Sequence, residues 1–271
     1  RYSAELAGYN HQKTVAVAAN ARYNEIAYYG AEVPLENGVD MYGLNGREKP
    51  ACRPKYHINI IDGMRKKYSE SQKPNSGEYY LKFDRSKSEI LEFKTKSDVE
   101  SQCNEDMNGV YNVQECDCIP DFMPTVGKKY MISAWIKDPS VGNEIGTLPY
   151  MEVKIDGTTY NIKDYGPVIE GWQKISGTFD LPNNAQMGSV SIKTNQSKVL
   201  LDDLRIHPYH ATMKTYNYDL KTLRFTFEHD DNNFFTRYDY AKDGTLQRVS
   251  KQTERGIQTL QESSFGQQKS F

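Results

Sequence analysis

The chain has 271 residues, enough for one large or two ordinary domains, each able to bury a core. Its 34 Lys and Arg against 36 Asp and Glu leave a net charge of −2 with no long basic run, so the electrostatic footprint of a nucleic-acid binder is missing and nucleic acid is not an expected partner. No stretch approaches the roughly 18 uninterrupted apolar residues of a membrane helix, so no transmembrane segment is expected.

The 20 Tyr and 10 Phe, with Thr, Val and Ile in short runs separated by Asn, Gly and Asp, predict a mostly β chain. Residues 1–29 hold good helix formers but no 3.6-residue stripe, and read as a connector from an upstream region with one helical turn around Arg22 to Ile26. Beginning at Arg1, with neither Met nor an apolar leader, the chain reads as a processed product or the tail of a longer protein.

Residues 30–207 change texture to short alternating runs. Strands are predicted at 77–83, 90–94, 130–137, 150–155, 173–179, 189–193 and 199–206, and so many short strands over this span predict a β-sandwich. In 130–137, Tyr130, Ile132, Ala134 and Ile136 share one face and Met131, Ser133, Trp135 and Lys137 the other, so the isoleucine face is the expected core.

Beyond Pro208 a repeat takes over. Tyr238-Asp-Tyr240 leads into Asp243-Gly244, a strong hairpin signal, and Tyr216-Asn-Tyr-Asp219 opens a similar unit upstream. Residues 247–261 can pair with themselves around Glu254-Arg255-Gly256. The domain reading is therefore a connector at 1–29, a sandwich at 30–207, hairpins at 208–262 and a flexible tail at 263–271. Within the hairpins, Tyr216 with Tyr218 and Tyr238 with Tyr240 lie two apart and share strand faces, and Leu223 and Leu246 can supply apolar contacts. An isolated hairpin is marginal in water, so this sheet is expected to pack against a neighbour.

Cys52, Cys103, Cys116 and Cys118 are even in number and three of them cluster in a polar stretch, which reads as two disulfides formed in an oxidising compartment. Cys116 and Cys118 are too close to bridge each other easily, so Cys52 and Cys103 are expected to pair with one each of them. A four-thiolate zinc site, which lacks its usual paired C-x2-C knuckles here, and unpaired buried thiols are the other readings.

Several local motifs come in a recognisable order: Ser76-Gly77 before a Tyr-rich strand, Tyr130-Met-Ile-Ser-Ala-Trp135, Gly171-Trp172 followed by Gly177-Thr-Phe179, and Leu201-Asp-Asp-Leu-Arg-Ile206. This series resembles the carbohydrate-binding-module-like jelly rolls of secreted bacterial proteins over residues 30–207. It departs from them at Gly30-Ala31-Glu32, where the usual Phe-Glu of the first strand keeps only its acid. The resemblance implies a structural calcium ion between Glu32 and either Asp202 or Asp203, as oxygen ligands suit a hard cation. Solvated or hydrogen-bonding turn carboxylates are the alternative.

The Tyr-x-Tyr-Asp and Asp-Gly-x-Leu pattern resembles the YD repeats of RHS-type proteins. The junction from Asp202 through Pro208 into Tyr216 is similar to the C-terminal region of very large surface proteins of gliding Gram-negative bacteria. That likeness implies export by the type IX secretion system across the outer membrane to the cell surface. It also implies secretion or motility proteins of that membrane as partners, and a role in adhesion or gliding motility.

Catalytic signals are weak. Adjacent strand residues such as Asp202 and Asp203 point to opposite faces and cannot flank one glycosidic bond. His207 and His210 are separated by Pro208, which opposes the helix that would align them on a metal, and no nucleophile elbow, phosphate loop or zincin motif occurs. Flat aromatic side chains are the better lead, since they can stack on sugar faces: Trp135 and Trp172 first, then Tyr150 and Tyr165, with edge or core packing as the alternative for each tryptophan. The expected function is a non-catalytic structural and interaction region of an exported surface protein, with polysaccharide as a candidate ligand. An export region recognised by the secretion translocon is the alternative, and a glycan-active enzyme the most distant reading.

Overall fold

A computed structural model describes residues 2–9, 12–32, 60–69, 72–95, 122–138, 148–195 and 198–263. All four cysteines lie outside these residues, as does the tail from 264 onward, so the disulfide and tail expectations fall outside the described structure.

The described residues form eighteen strands and one short 3-10 turn, Tyr23–Glu25. The strands are β1 (Ser3–Gly8), β2 (Lys13–Ala19), β3 (Ala27–Tyr29), β4 (Met64–Lys67), β5 (Tyr79–Asp84), β6 (Glu89–Lys94), β7 (Lys128–Lys137), β8 (Tyr150–Ile155), β9 (Thr158–Ile162), β10 (Asp164–Ile169), β11 (Trp172–Leu181), β12 (Met187–Lys193), β13 (Lys198–Pro208), β14 (Thr212–Tyr218), β15 (Phe225–His229), β16 (Phe235–Tyr240), β17 (Leu246–Thr253) and β18 (Gly256–Glu262).

Two antiparallel sheets make the expected β-sandwich. One runs β10-β11-β7-β13-β5-β4, with β3 also paired to β13, and the other runs β6-β12-β8-β9. Between them lies a continuous apolar core that includes Phe83, Ile132, Ile136, Phe179 and Leu201 from the first sheet and Met151, Val153, Val190 and Ile192 from the second. The alternation of β7 places Tyr130, Ile132, Ala134 and Ile136 in that core, as its pattern predicts.

A third sheet, β1-β2-β14-β15-β16-β17-β18, covers the other face of the larger sandwich sheet. The consequence shows in β13, where every residue after Lys198 is buried, because one face meets the sandwich core and the other meets this third sheet. The strand consequently lacks the alternation of a half-buried strand, and its buried positions include Asp202, Asp203, Arg205 and His207 as well as apolar residues. The two hairpin units are β14–β15 and β16–β17, and β17–β18 turns at Glu254-Arg255.

Matching chemistry closes the first two of these turns. Asp219 Oδ1 accepts the Lys221 N–H at 3.1 Å and Asp243 Oδ1 accepts the Thr245 N–H at 2.9 Å, the local bond by which Asp favours turns. Gly244 sits at a φ of +92°, a left-handed conformation that a side chain would strain.

The described residues before 30 are strands β1, β2 and β3 with the 3-10 turn, where a connector was expected. β1 and β2 pair with each other, and β2 pairs with β14 through Thr212↔Ala19 to Thr215↔Ala16, so the N-terminus completes the hairpin sheet. Their Ala4, Leu6, Ala16 and Ala18 are buried in a cluster with Ile26, Tyr28 and Met213. Small residues at alternating positions look like helix formers, yet period-2 burial decides the outcome once a partner strand is present.

Candidate functional site

The Asp202-Asp203 pair lies where the sandwich meets the hairpin sheet. Pairing of β13 with β7 slips between Asp202 and Arg205, and Asp203 takes a φ of +50°, so this is a β-bulge. The bulge breaks the simple alternation expected of neighbouring strand residues, and both carboxylates meet the same loop. Asp202 Oδ2 accepts the N–H groups of Asn75 at 3.0 Å and Ser76 at 3.2 Å, and its Oδ1 accepts the Asp203 N–H at 2.9 Å. Asp203 accepts the Asn75 side-chain amide at 2.9 Å and the Ser76 hydroxyl at 3.0 Å.

These groups are almost wholly shielded from water, with Asp202 1% and Asp203 0% exposed. Burial and then the neighbouring Asp203 carboxylate push Asp202 well above the usual carboxylate range. Burial also works to raise Asp203, but the adjacent His229 imidazole and the Asn75 and Ser76 donors outweigh it and hold Asp203 below its ordinary value. His229 Nε2 is 3.2 Å from Asp203 Oδ2, yet neither ring nitrogen of His229 makes an aligned hydrogen bond among the described residues.

Arg205, two residues along, crosses the interface. Its guanidinium donates to the carbonyls of Met213 at 3.1 Å and Asp230 at 2.7 Å and to the Thr215 hydroxyl at 2.7 Å. Burial lowers its pKa to about 10, which keeps it charged at neutral pH. Asn217 of β14 donates to the Ser76 hydroxyl at 2.9 Å and accepts from the Tyr28 hydroxyl at 2.7 Å, and Gln252 of β17 donates to Asn75 at 3.0 Å. A buried polar network of this kind fixes one mutual position for two sheets.

Glu32, 5% exposed, accepts the N–H groups of Glu78 at 2.8 Å and Tyr79 at 3.0 Å through one oxygen. Gly77, at a φ of +65°, lets that carboxylate approach, since a Cβ there would collide with it. Burial raises Glu32 to about 8 despite these bonds.

As arranged, Glu32, Asp202 and Asp203 do not fit the calcium site implied by the resemblance. The oxygens of the two aspartates point at N–H and O–H donors, which a cation would have to displace. Among the described residues no group of three or more His, Cys, Asp or Glu is placed to hold a metal. His207, whose Nδ1 lies 2.9 Å from the Pro208 carbonyl, is buried in the same region.

The sugar-stacking candidates divide. Trp135 and Trp172 are 0% and 1% exposed, so neither can stack on a ligand in this fold, which corrects the expectation from sequence. They form the apolar seat of the hairpin sheet with Tyr80, Ile169 and Leu200, against Phe234 and Ile257. Trp135 Nε1 donates to the Asn233 carbonyl and Trp172 Nε1 to that of Lys73 at 3.0 Å, so both indoles are fully used.

Tyr150 and Tyr165 remain half-buried at the sandwich surface. The Tyr165 hydroxyl donates to the Pro149 carbonyl at 3.1 Å, and Lys163 Nζ lies 4.2 Å from the Tyr150 ring centroid.

The repeat tyrosines of β14 lie on the face turned away from the sandwich. Met213, Thr215 and Asn217 of β14 are buried toward the sandwich, whereas Tyr216 and Tyr218 alternate with them and face outward, half-exposed. Their sequence signal was present in the two-residue spacing, but only docking decides which face is covered.

No protein-family model and no curated protein matches this chain. Among solved structures, it is similar to the CBM22-1–GH10 modules of a Clostridium thermocellum endo-1,4-beta-D-xylanase complexed with xylohexaose. That likeness has 13% identity and a TM-score of 0.30, and covers 72% of this chain but 28% of the xylanase chain. A CBM22-1 xylan-binding domain from Paenibacillus barcinonensis gives 12% identity and a TM-score of 0.29, covering 54% of this chain and 83% of that one. The EclA C-terminal domain, described as a sugar-binding protein, gives 14% and 0.23, covering 64% and 99%. The sandwich itself is set by this chain's own strand pairing.

Proposed function

We propose that this chain is a non-catalytic structural and interaction region of an exported cell-surface protein, and that its sandwich binds glycan. The observation that supports this reading is the half-buried pair Tyr150 and Tyr165 on the sandwich, with the Lys163 ammonium over the Tyr150 ring at 4.2 Å: aromatic surface carrying a cation able to orient a sugar. The conspicuous acids point the same way, because Asp202, Asp203 and Glu32 are internal and engaged in hydrogen bonds that join sheets. A glycan-array screen of the full chain beside Tyr150→Ala and Tyr165→Ala variants tests it. Binding lost in the variants is the expected result, and an array silent for the full chain would remove the reading.

A second reading, recognition of this C-terminal region by an export translocon, is favoured by β18. This strand forms the last edge of the hairpin sheet and is exposed over most of its length, with Leu260 59% exposed. An edge of this kind can accept an added strand from a partner. Co-purification of outer-membrane machinery with the full chain, lost when Gln258→Pro and Leu260→Pro block the edge, is the outcome expected of it. In that setting the region would serve adhesion or gliding motility at the cell surface.

A further inference from the structure

Where the sandwich meets the hairpin sheet, several buried polar atoms have no hydrogen-bond partner among the described residues: Nε of Arg205, both ring nitrogens of His229 and Oδ1 of Asn233. They come from β13, from β15 and from the turn between β15 and β16. Arg205 and His229 are 0% exposed and Asn233 is 1% exposed, so bulk solvent does not serve these atoms. Leaving a buried donor or acceptor unpaired costs its full desolvation penalty, which native interiors seldom carry.

The contacts that are made draw the three side chains together. Arg205 Nη1 and the Asn233 main-chain N–H both donate to the Asp230 carbonyl, at 2.7 and 2.9 Å. The Asn233 amide donates to the Asp203 carbonyl at 3.0 Å, and His229 Nε2 lies 3.2 Å from the Asp203 carboxylate. Arg205 Nη2 donates to the Thr215 hydroxyl at 2.7 Å, and Thr215 is the cross-strand partner of His229. All three therefore surround the stretch of β13 from Asp203 to Arg205.

Their chemistry is complementary to one kind of ligand. Arg205 Nε–H only donates, and Asn233 Oδ1 only accepts, because its amide nitrogen is already committed to the Asp203 carbonyl. A neutral imidazole offers one donor and one acceptor. An ion fits poorly, since the Arg205 guanidinium opposes a cation and the Asp203 carboxylate an anion. Water is neutral, both donates and accepts, and when buried typically makes about three hydrogen bonds to polar groups of this sort.

We infer that the seam between the sandwich and the hairpin sheet is a binding site for ordered internal water, held by Arg205 Nε, Asn233 Oδ1 and the His229 ring. The bound water completes the hydrogen bonds through which Asp203 and Arg205 fix the two sheets to each other. The site is independent of the Tyr150–Tyr165 surface and of any glycan there.

Two measurements on the full chain test this. A crystal structure should show water within hydrogen-bond distance of both Arg205 Nε and Asn233 Oδ1. In solution, water-selective nuclear Overhauser spectra should give cross-peaks to the carbon-bound ring protons of His229, with the sign of water that tumbles with the protein. His229→Phe keeps a flat ring but removes both nitrogens, and should lose the corresponding cross-peaks to the ring at position 229.

A dry seam in the crystal, with the His229 ring turned to bond Asp203 or Thr215 directly, would overturn the inference. So would anomalous scattering that assigns the density to a bound ion, or cross-peaks that persist unchanged in a folded His229→Phe variant. If that variant does not fold, the two measurements on the parent chain decide the matter by themselves.

Discussion

The indole Nε1 of Trp135 donates a hydrogen bond to the main-chain carbonyl of Asn233 at 2.7 Å, joining the outer face of sandwich strand β7 to the turn between hairpin strands β15 and β16. Phe234 stands edge-on to the same ring with centroids 5.7 Å apart. Asn233, at a φ of +65°, returns a bond from its side chain to the Asp203 carbonyl at 3.0 Å. These contacts, with the Arg205 bond to the Asp230 carbonyl, hold the turn, and the sandwich and the hairpin sheet share a single seat.

Trp135→Ala should accordingly destabilise the protein by about 3–5 kcal/mol, the range for deleting a large buried aromatic. Trp135→Phe keeps most of the apolar surface but leaves the Asn233 carbonyl without its donor, and should cost about 1–3 kcal/mol. Urea unfolding followed by far-ultraviolet circular dichroism reads both. Equal stability of Trp135→Ala and the parent would mean that the sheets do not depend on this seat.

Stability should depend on pH with a definite sign. Burial raises Glu32 to about 8, above its value in the unfolded chain, and Asp202 is raised as well. Groups raised in this way bind a proton more tightly in the folded state, so their contribution is fully present below the unfolded pKa and is lost as pH rises through the folded one. Asp203 is lowered and acts oppositely, its contribution being lost as pH falls below the ordinary carboxylate range. Thermal melts between about pH 5 and pH 9 should show a falling melting temperature, and Glu32→Gln should flatten that fall. A melting temperature that climbs across this window would contradict the assignment.

Chelation is expected to leave the melting temperature unchanged, because the oxygens of Asp202 and Asp203 are taken by protein donors. Differential scanning calorimetry with EDTA and then with calcium decides the point. A drop on chelation that calcium reverses would establish the ion at Glu32 with Asp202 or Asp203, since a ligand that binds only the folded state stabilises it by mass action.

A fragment of residues 208–271 removes β1 and β2, the Trp135 seat and the Arg205 clamp together. It should give poorly dispersed amide resonances and rapid hydrogen exchange. Sharp, slowly exchanging amides in that fragment would show that the hairpins fold without the sandwich.

The sequence by itself determined the β class, most of the sandwich strands, the core face of β7 and the hairpin turns. Each of these depends on local rules: period-2 burial, the left-handed freedom of Gly244 and the side-chain bonds of Asp219 and Asp243. Tertiary structure alone decided which surfaces are covered. Nothing local says that β1 and β2 will pair beside β14 and become strands, because their partner lies almost two hundred residues away. Nor does a strand pattern show that both faces of β13 will be buried, that the bulge at Asp203 will bring two adjacent carboxylates to one loop, or that Trp135 will be covered while Tyr216 and Tyr218 stay open. A side chain's face follows from the strand it belongs to; what meets that face depends on which sheet docks there, and that is set by the summed complementarity of distant surfaces.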